Sequence, residues 1–208
     1  MLYTKTVEPG TFSLLKQLME IPSLKPFCLV GGTALSLKYG HRSSVDLGLF
    51  YHEKFDSEAI EEELKQTFGE NYYTEGGHRN FGIFCYINKV KVDIVYFPHK
   101  PIAPFEETEN IRFYSSNDIG AMKIQAILGR GKKKDFWDLH ELLKHHSLQQ
   151  IMDWHKQKYP NQMLAISIPN ALTYFTDADE SETPVSFKKQ TLEMVKKDIS
   201  RVVREYLS

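Results

Sequence analysis

The most constraining stretch of the chain is Gly31–Phe50, GGTALSLKYGHRSSVDLGLF. A short apolar run, Phe27–Val30 (FCLV), leads directly into the Gly31-Gly32 pair. TALSLKYG (33–40) then reads as a helix, with Thr33 near its N-cap and Gly40 at its end. The second half of HRSSVDLGLF (41–50) reads as a strand: Val45, Leu47 and Leu49 point one way, Asp46, Gly48 and Phe50 the other. Strand, glycine turn, helix and strand follow without spare residues, so the front of the chain is expected to fold as an α/β layer. Glycines at the start of a helix let backbone N–H groups close around an anion such as a triphosphate, and the helix terminus favours negative charge. An ordinary tight turn would use the same pair.

The remaining pattern divides the chain near residue 115. Residues 10–20 are helical in period, with Leu14, Leu15 and Leu18 on one side, and the acidic stretch 56–69 predicts a surface helix. RNFGIFCYI (79–87) and VKVDIVYFP (90–98) flank Asn88-Lys89, which predicts a two-residue hairpin turn with Asp93 inside the second strand. From about Ser116 the period becomes helical: 116–128, capped by Ser116 or Asn117 and closing at Gly129; 134–146, with Phe136, Leu139 and Leu143 on one face; 147–159; and, after a loop over 177–184, a final helix carrying Leu192, Val195, Ile199, Val202 and Tyr206. The expected organisation is an α/β core over 1–115 and a helical domain over 116–208 packed on it.

Composition narrows the function classes. With 208 residues, of which 41% are hydrophobic, the chain can bury a core, and a net charge of −1 excludes a wholly basic nucleic-acid coat protein. Any nucleic-acid site must be a local patch. Lys123, Arg130, Lys132, Lys133 and Lys134 form one, with no acidic residue among them; it is either a solvated loop or a phosphate-binding surface. Cys28 and Cys85 lie in apolar runs without zinc spacing, as expected in a reducing cytosol. MLYTKTVEPG has no signal pattern and no apolar run reaches membrane-spanning length, so the expectation is a cytoplasmic protein without membrane contact. The histidines, including His145-His146 and His155, lack metal spacing.

Asp46 and Asp93 are the candidate chemical groups. Carboxylates on two strands beside a glycine-rimmed helix start can converge on Mg²⁺, which takes hard oxygen ligands and shares them with substrate phosphates. Each has a plainer alternative: Asp46 as a solubilising edge residue, Lys123 as a solvated helix charge, Asp135 as an N-cap and Asp138 as a surface residue. His41-Arg42 either clamps phosphate or pins the strand entry by pairing with a carboxylate.

The order GG-T-A-L, G-H-R-x-S-x-D and a hairpin Asp, followed by AMKIQAI, GRGKKK, KDFWDL and NALTYFTDADE, resembles the polymerase-beta-like nucleotidyltransferase superfamily, and more narrowly the AbiEii/AbiGii-type nucleotidyltransferase toxins. The resemblance implies an α+β fold, a nucleotidyltransferase-like mixed sheet with flanking helices followed by a C-terminal helical bundle lobe. It implies transfer of a nucleoside monophosphate from an NTP to an RNA, such as a tRNA acceptor end, with Mg²⁺ as cofactor and a cognate antitoxin as partner. Asp46 and Asp93 would hold the metal and, with Lys123, form the catalytic set. Gly31, Gly32, Thr33, Arg42, Ser44, Asp135 and Asp138 would bind or order the nucleotide, and Arg130, Lys132, Lys133 and Lys134 would meet RNA. One position departs from the pattern: the family's strand motif reads D-x-D, whereas Asp46 is followed by Leu47 and Gly48. Loss of a metal ligand removes charge neutralisation from phosphoryl transfer. A catalytically degenerate nucleotide- or RNA-binding module of the same fold is therefore the competing reading, and an antitoxin-like interaction protein a third.

Overall fold

The structure is a computed structural model that describes residues 1–74 and 81–208. In chain order its strands are β1 (Cys28–Val30), β2 (Leu47–Tyr51), β3 (Tyr72–Thr74), β4 (Gly82–Ile87), β5 (Val90–Tyr96), β6 (Glu106–Thr108) and β7 (Ile111–Phe113). The helices are α1 (Pro9–Glu20), α2 (Gly31–Tyr39), α3 (Ser57–Phe68), α4 (Ser116–Gly129), α5 (Lys133–Leu142), α6 (Leu148–Lys158), α7 (Ile168–Thr173), α8 (Thr176–Glu180) and α9 (Leu192–Leu207).

The strands form one mixed sheet in the order β3-β4-β5-β2-β1-β7-β6. β2 runs parallel to β5 and antiparallel to β1, which puts the two strands carrying the Gly31–Phe50 motif at the sheet centre. Leu29, Leu47, Leu49, Val92 and Ile94 are fully or almost fully buried there, because their side chains alternate onto the covered face. The hairpin of β4 and β5 turns on Asn88 (φ 51°) and Lys89 (φ 67°); two successive positive φ values give the twist that a two-residue hairpin needs. The expected start of β4 at Arg79-Asn80 lies outside the described residues.

Several boundaries differ from the sequence expectation. Helix α2 begins at Gly31, whose φ of 73° switches the chain from strand to helix in one residue; Thr33 therefore sits inside the first turn and is no cap. Helix α4 is capped by Ser115, not Ser116 or Asn117, because the Ser115 hydroxyl accepts from the Asp118 amide at 3.1 Å. Asp135 does not cap α5, which starts from Lys132, and Asp138 is no surface residue: every residue of Asp135–Leu142 is buried, so α5 is enclosed on all sides instead of facing water along one stripe. The stretch 177–184 is not all loop, since α8 covers its first part. On α9 the inward stripe is Val195, Ile199 and Val203, while Tyr206 faces out.

The last strand ends at Phe113; of the helices that follow, α4 and α5 pack on α2, and buried side chains from Leu2 to Val203 belong to one apolar cluster. Cys28 and Cys85 are free and buried, and burial pushes both thiols up to about 12. Among the described residues no helix is long and apolar enough to cross a membrane.

Candidate active site

Two charge clusters meet where the α2–β2 connection crosses the top of α5. The first is buried. Arg42 donates from Nε and Nη2 to the two oxygens of Asp138, at 2.6 and 2.8 Å. His41 Nε2 lies 2.7 Å from Asp138 Oδ1, and Lys123 Nζ bridges Asp138 Oδ2 at 2.7 Å and Asp135 Oδ1 at 3.1 Å. Arg130 closes the set with a fork on Asp135, Nε at 2.9 Å and Nη2 at 3.0 Å. Both Asp side chains are wholly enclosed. Burial alone would raise the Asp138 carboxyl; Arg42, Lys123 and His41 outweigh it and hold it well below the usual carboxylate range. Asp135 is held low in the same way, by Lys123 and Arg130 against burial. Of the two roles open to His41-Arg42, the structure has the carboxylate pairing.

Gly32 is required by this cluster: a Cβ there would stand 2.1 Å from Arg42 Nη2. Gly31 has open space around it instead. Thr33 donates its hydroxyl to the Asp46 carbonyl, so Ser44, 2.8 Å away, donates to Thr33 Oγ1 in turn. These two hydroxyls fix the backbone that presents Asp46.

The second cluster lies where the chain enters β2 and at the middle of β5. In the parallel register Gly48 is the partner of Asp93, so Asp46, two residues earlier, falls on the same sheet face as Asp93. Asp46 is about half exposed, with Lys134 Nζ 3.9 Å from Oδ2. Asp93 Oδ2 accepts from Lys91 Nζ at 3.1 Å, while Asp93 Oδ1 is buried and has no hydrogen-bond partner among the described residues. Burial lowers the Lys91 ammonium, but Asp93 and then Asp46 outweigh it and raise the group. One cation therefore feels both carboxylates. Among the described residues no group of three or more His, Cys, Asp or Glu could hold a metal. A divalent ion would have Asp46 and the unpartnered Asp93 oxygen as protein ligands. Both are hard oxygens, and the orphaned oxygen is an open ligand position; the donor set fits Mg²⁺ provided phosphates or water complete it.

A cleft of about 600 Å³ opens over Asp46. Arg42, Ser44, Arg130, Lys132 and Lys134 line it on the basic side. The far wall is acidic, Asp177, Glu180 and Glu182, continuing into Thr183–Val185. This wall is a strap tied to the motif: the Ser43 amide donates to the Val185 carbonyl at 2.8 Å, and the Phe187 amide to the His41 carbonyl at 3.0 Å. Lys133 does not face the cleft; its amide and Nζ hold Ser181 and the Asp179 carbonyl. Gly31, Gly32, Thr33, Lys123, Asp93, Asp135 and Asp138 also lie outside the lining. Sequence reasoning missed Lys91, which alternation from Asp93 would have placed on the same face, and the strap, whose residues carry no periodic signal. A larger cleft, about 870 Å³ between Phe97–Ile102 and Gln157–Gln162, has no carboxylate in its lining.

Comparison with known proteins agrees with this architecture. The family described as "Nucleotidyl transferase AbiEii toxin, Type IV TA system" matches residues 13–198. An uncharacterized protein of Aquifex aeolicus (strain VF5) is 31% identical over 201 residues, covering 93% of this chain and 94% of its own. Among solved structures, the nucleotidyltransferase toxin MenT4 of Mycobacterium tuberculosis superposes with a TM-score of 0.62 at 12% identity, covering 94% of this chain and 84% of its own. JHP933 of Helicobacter pylori gives 0.57 at 18% identity, covering 96% and 92%. At such identities the two structures share the fold, a mixed sheet with flanking helices, which is the fold class expected from the sequence.

Proposed function

The chain belongs to the AbiEii family of nucleotidyl transferase toxins, and from that premise we propose that it transfers a nucleoside monophosphate from an NTP to an RNA hydroxyl, such as a tRNA end, in the cytoplasm, under the control of a cognate antitoxin. The observation that carries the reading is the unpartnered buried oxygen of Asp93 on the strand beside Asp46, at the edge of a basic cleft. Asp46 and Asp93 would hold Mg²⁺. Bound there, that ion neutralises phosphate charge and orients the triphosphate for in-line displacement. Lys132 and Lys134 line the cleft as phosphate donors beside the half-exposed Arg130, Arg42 being engaged by Asp138 and the Ser43 carbonyl, and Gly31 offers an unobstructed helix start. The acceptor oxygen forms its bond to the α-phosphorus as the bond from that phosphorus to the bridging oxygen breaks. Pyrophosphate leaves, and the hydroxyl proton passes to water in the cleft.

Lys123, Asp135 and Asp138 act in this scheme by position. Their mutual ion pairs fix Arg42 and Arg130, which reach the cleft from below. Thr33 and Ser44 act likewise on the Asp46 backbone. Label transfer from α-labelled NTP to RNA tests the proposal. Magnesium-dependent transfer is expected; a folded protein that neither binds NTP nor transfers label refutes it.

A second reading, binding of nucleotide or RNA without transfer, is favoured by Gly48 standing where a third carboxylate would adjoin Asp93. Gly48→Asp separates the two. The new side chain meets Val30 Cγ2 at 3.3 Å, which a small shift relieves. Transfer appearing from zero identifies a degenerate site; little change over an active parent identifies a working two-carboxylate site.

A further inference from the structure

Position 46 just before β2, 48 on β2, and 91 and 93 on β5 make a four-cornered patch. The parallel register pairs Leu47 with Val92 and Gly48 with Asp93, and continuing the same alternation one residue before β2 brings Asp46 to Lys91, whose ammonium it raises. The corners are thus carboxylate, nothing, ammonium and carboxylate. The Lys91 ammonium is 3.1 Å from Asp93 Oδ2, nearly half exposed, and stands on the face that Asp46 shares. Two carboxylates beside one fixed positive charge leave a net charge of −1, which suits one divalent ion and disfavours two. A fixed ammonium also takes the place of a second ion against triphosphate oxygens, since lysine acts on phosphate as a point charge.

We propose that Lys91 is an ion-count determinant: with Gly48 leaving the patch one carboxylate short, Lys91 supplies in the protein the positive charge that a second divalent ion would bring, so the site takes a single Mg²⁺ with its nucleotide. The proposal rests on the nucleotidyl-transfer reading above. It makes Lys91 part of the phosphate-facing machinery and explains why Asp93 has one oxygen paired and the other free.

Manganese, counted by electron paramagnetic resonance in the presence of a non-hydrolysable NTP analogue, tests it without relying on turnover. Wild type should bind one ion per chain. Lys91→Met removes a like charge close to the ion and should tighten Mn²⁺ binding about tenfold or more. Lys91→Arg should restore the wild-type affinity, and the double variant Lys91→Met/Gly48→Asp should bind two ions. Because Lys91 is exposed, its single variants remain informative even if Gly48→Asp proves hard to fold. Two ions in wild type, or unchanged Mn²⁺ affinity in Lys91→Met, would overturn the role of Lys91 and leave nucleotidyl transfer standing. Failure of the folded wild type to bind analogue and ion at all would remove both.

Discussion

The buried cluster around Asp138 and the pair of Asp46 and Asp93 on the β2–β5 face are built from the same residue types, yet they are finished differently. Around Asp138 and Asp135 every carboxylate oxygen has an Arg or Lys partner, and His41 and Arg42 reach Asp138 from 97 and 96 residues away. On the β2–β5 face one carboxylate is half open to water, the other has a buried oxygen with no partner among the described residues, and a glycine occupies the corner between them. Saturated charge fixes geometry, because no ligand can compete for groups already paired. Unsaturated charge is what a ligand can complete. On the proposed function the first region serves stability and the second binding, and substitutions can separate the two.

The largest effect is expected at Asp138. Asp138→Asn leaves Arg42, Lys123 and His41 facing a neutral group in a sealed interior, and breaking a buried pair this way costs about 3–5 kcal/mol. Urea denaturation should register the loss, with activity failing only because the fold does. If Asp138→Asn melts like wild type, the division between the regions collapses. Asp46→Asn and Asp93→Asn should behave oppositely. Each should keep its melting profile within about 0.5 kcal/mol of wild type while label transfer falls by about 10²–10³-fold.

Acid should unfold the protein through enclosed groups, in order. Burial pushes the His155 imidazole from 6.5 down to about 4. Its folded value lies below its unfolded one, so the neutral ring's contribution is complete above pH 6.5 and is lost as pH falls towards 4. This amounts to about 1–3 kcal/mol. Glu141 then follows: against burial, Lys144 and Lys188 hold its carboxyl at about 2, so its stabilisation is present above its ordinary 4.5 and disappears between 4.5 and 2. Asp135 and Asp138, also held low, add to the loss below 3.8. A stability profile measured by denaturant from pH 8 to pH 3 should show the early step vanish in His155→Gln, and both steps persist in Asp46→Asn. The smallest change belongs to Lys132→Ala on the cleft rim: RNA affinity down a few-fold, with the slope against log salt reduced by about one.

How much of this was legible in the chain varies with range. The hairpin at Asn88-Lys89, the helix stop at Gly40 and the buried strands around Leu47 and Val92 follow from local chemistry, and the sequence reading places them correctly. The destination of Asp138 does not, since its partners His41 and Arg42 lie 97 and 96 residues away and nothing in KDFWDL reveals that α5 is enclosed. Thr33, expected near the N-cap, is the third residue of the helix, because a positive φ at Gly31 starts it two residues earlier. The strap over 181–187 carried no periodic signal, because its hold on the motif comes through backbone amides that any sequence possesses.

The central claim is that Asp46 and Asp93 together hold the ion that brings a nucleotide to the cleft. Calorimetric titration of NTP with and without Mg²⁺, into wild type, Asp46→Asn and Asp93→Asn at matched folded fraction, tests it most directly. Magnesium-dependent binding in wild type that is lost in both variants is the predicted result. Undiminished magnesium-dependent binding in either variant would contradict it.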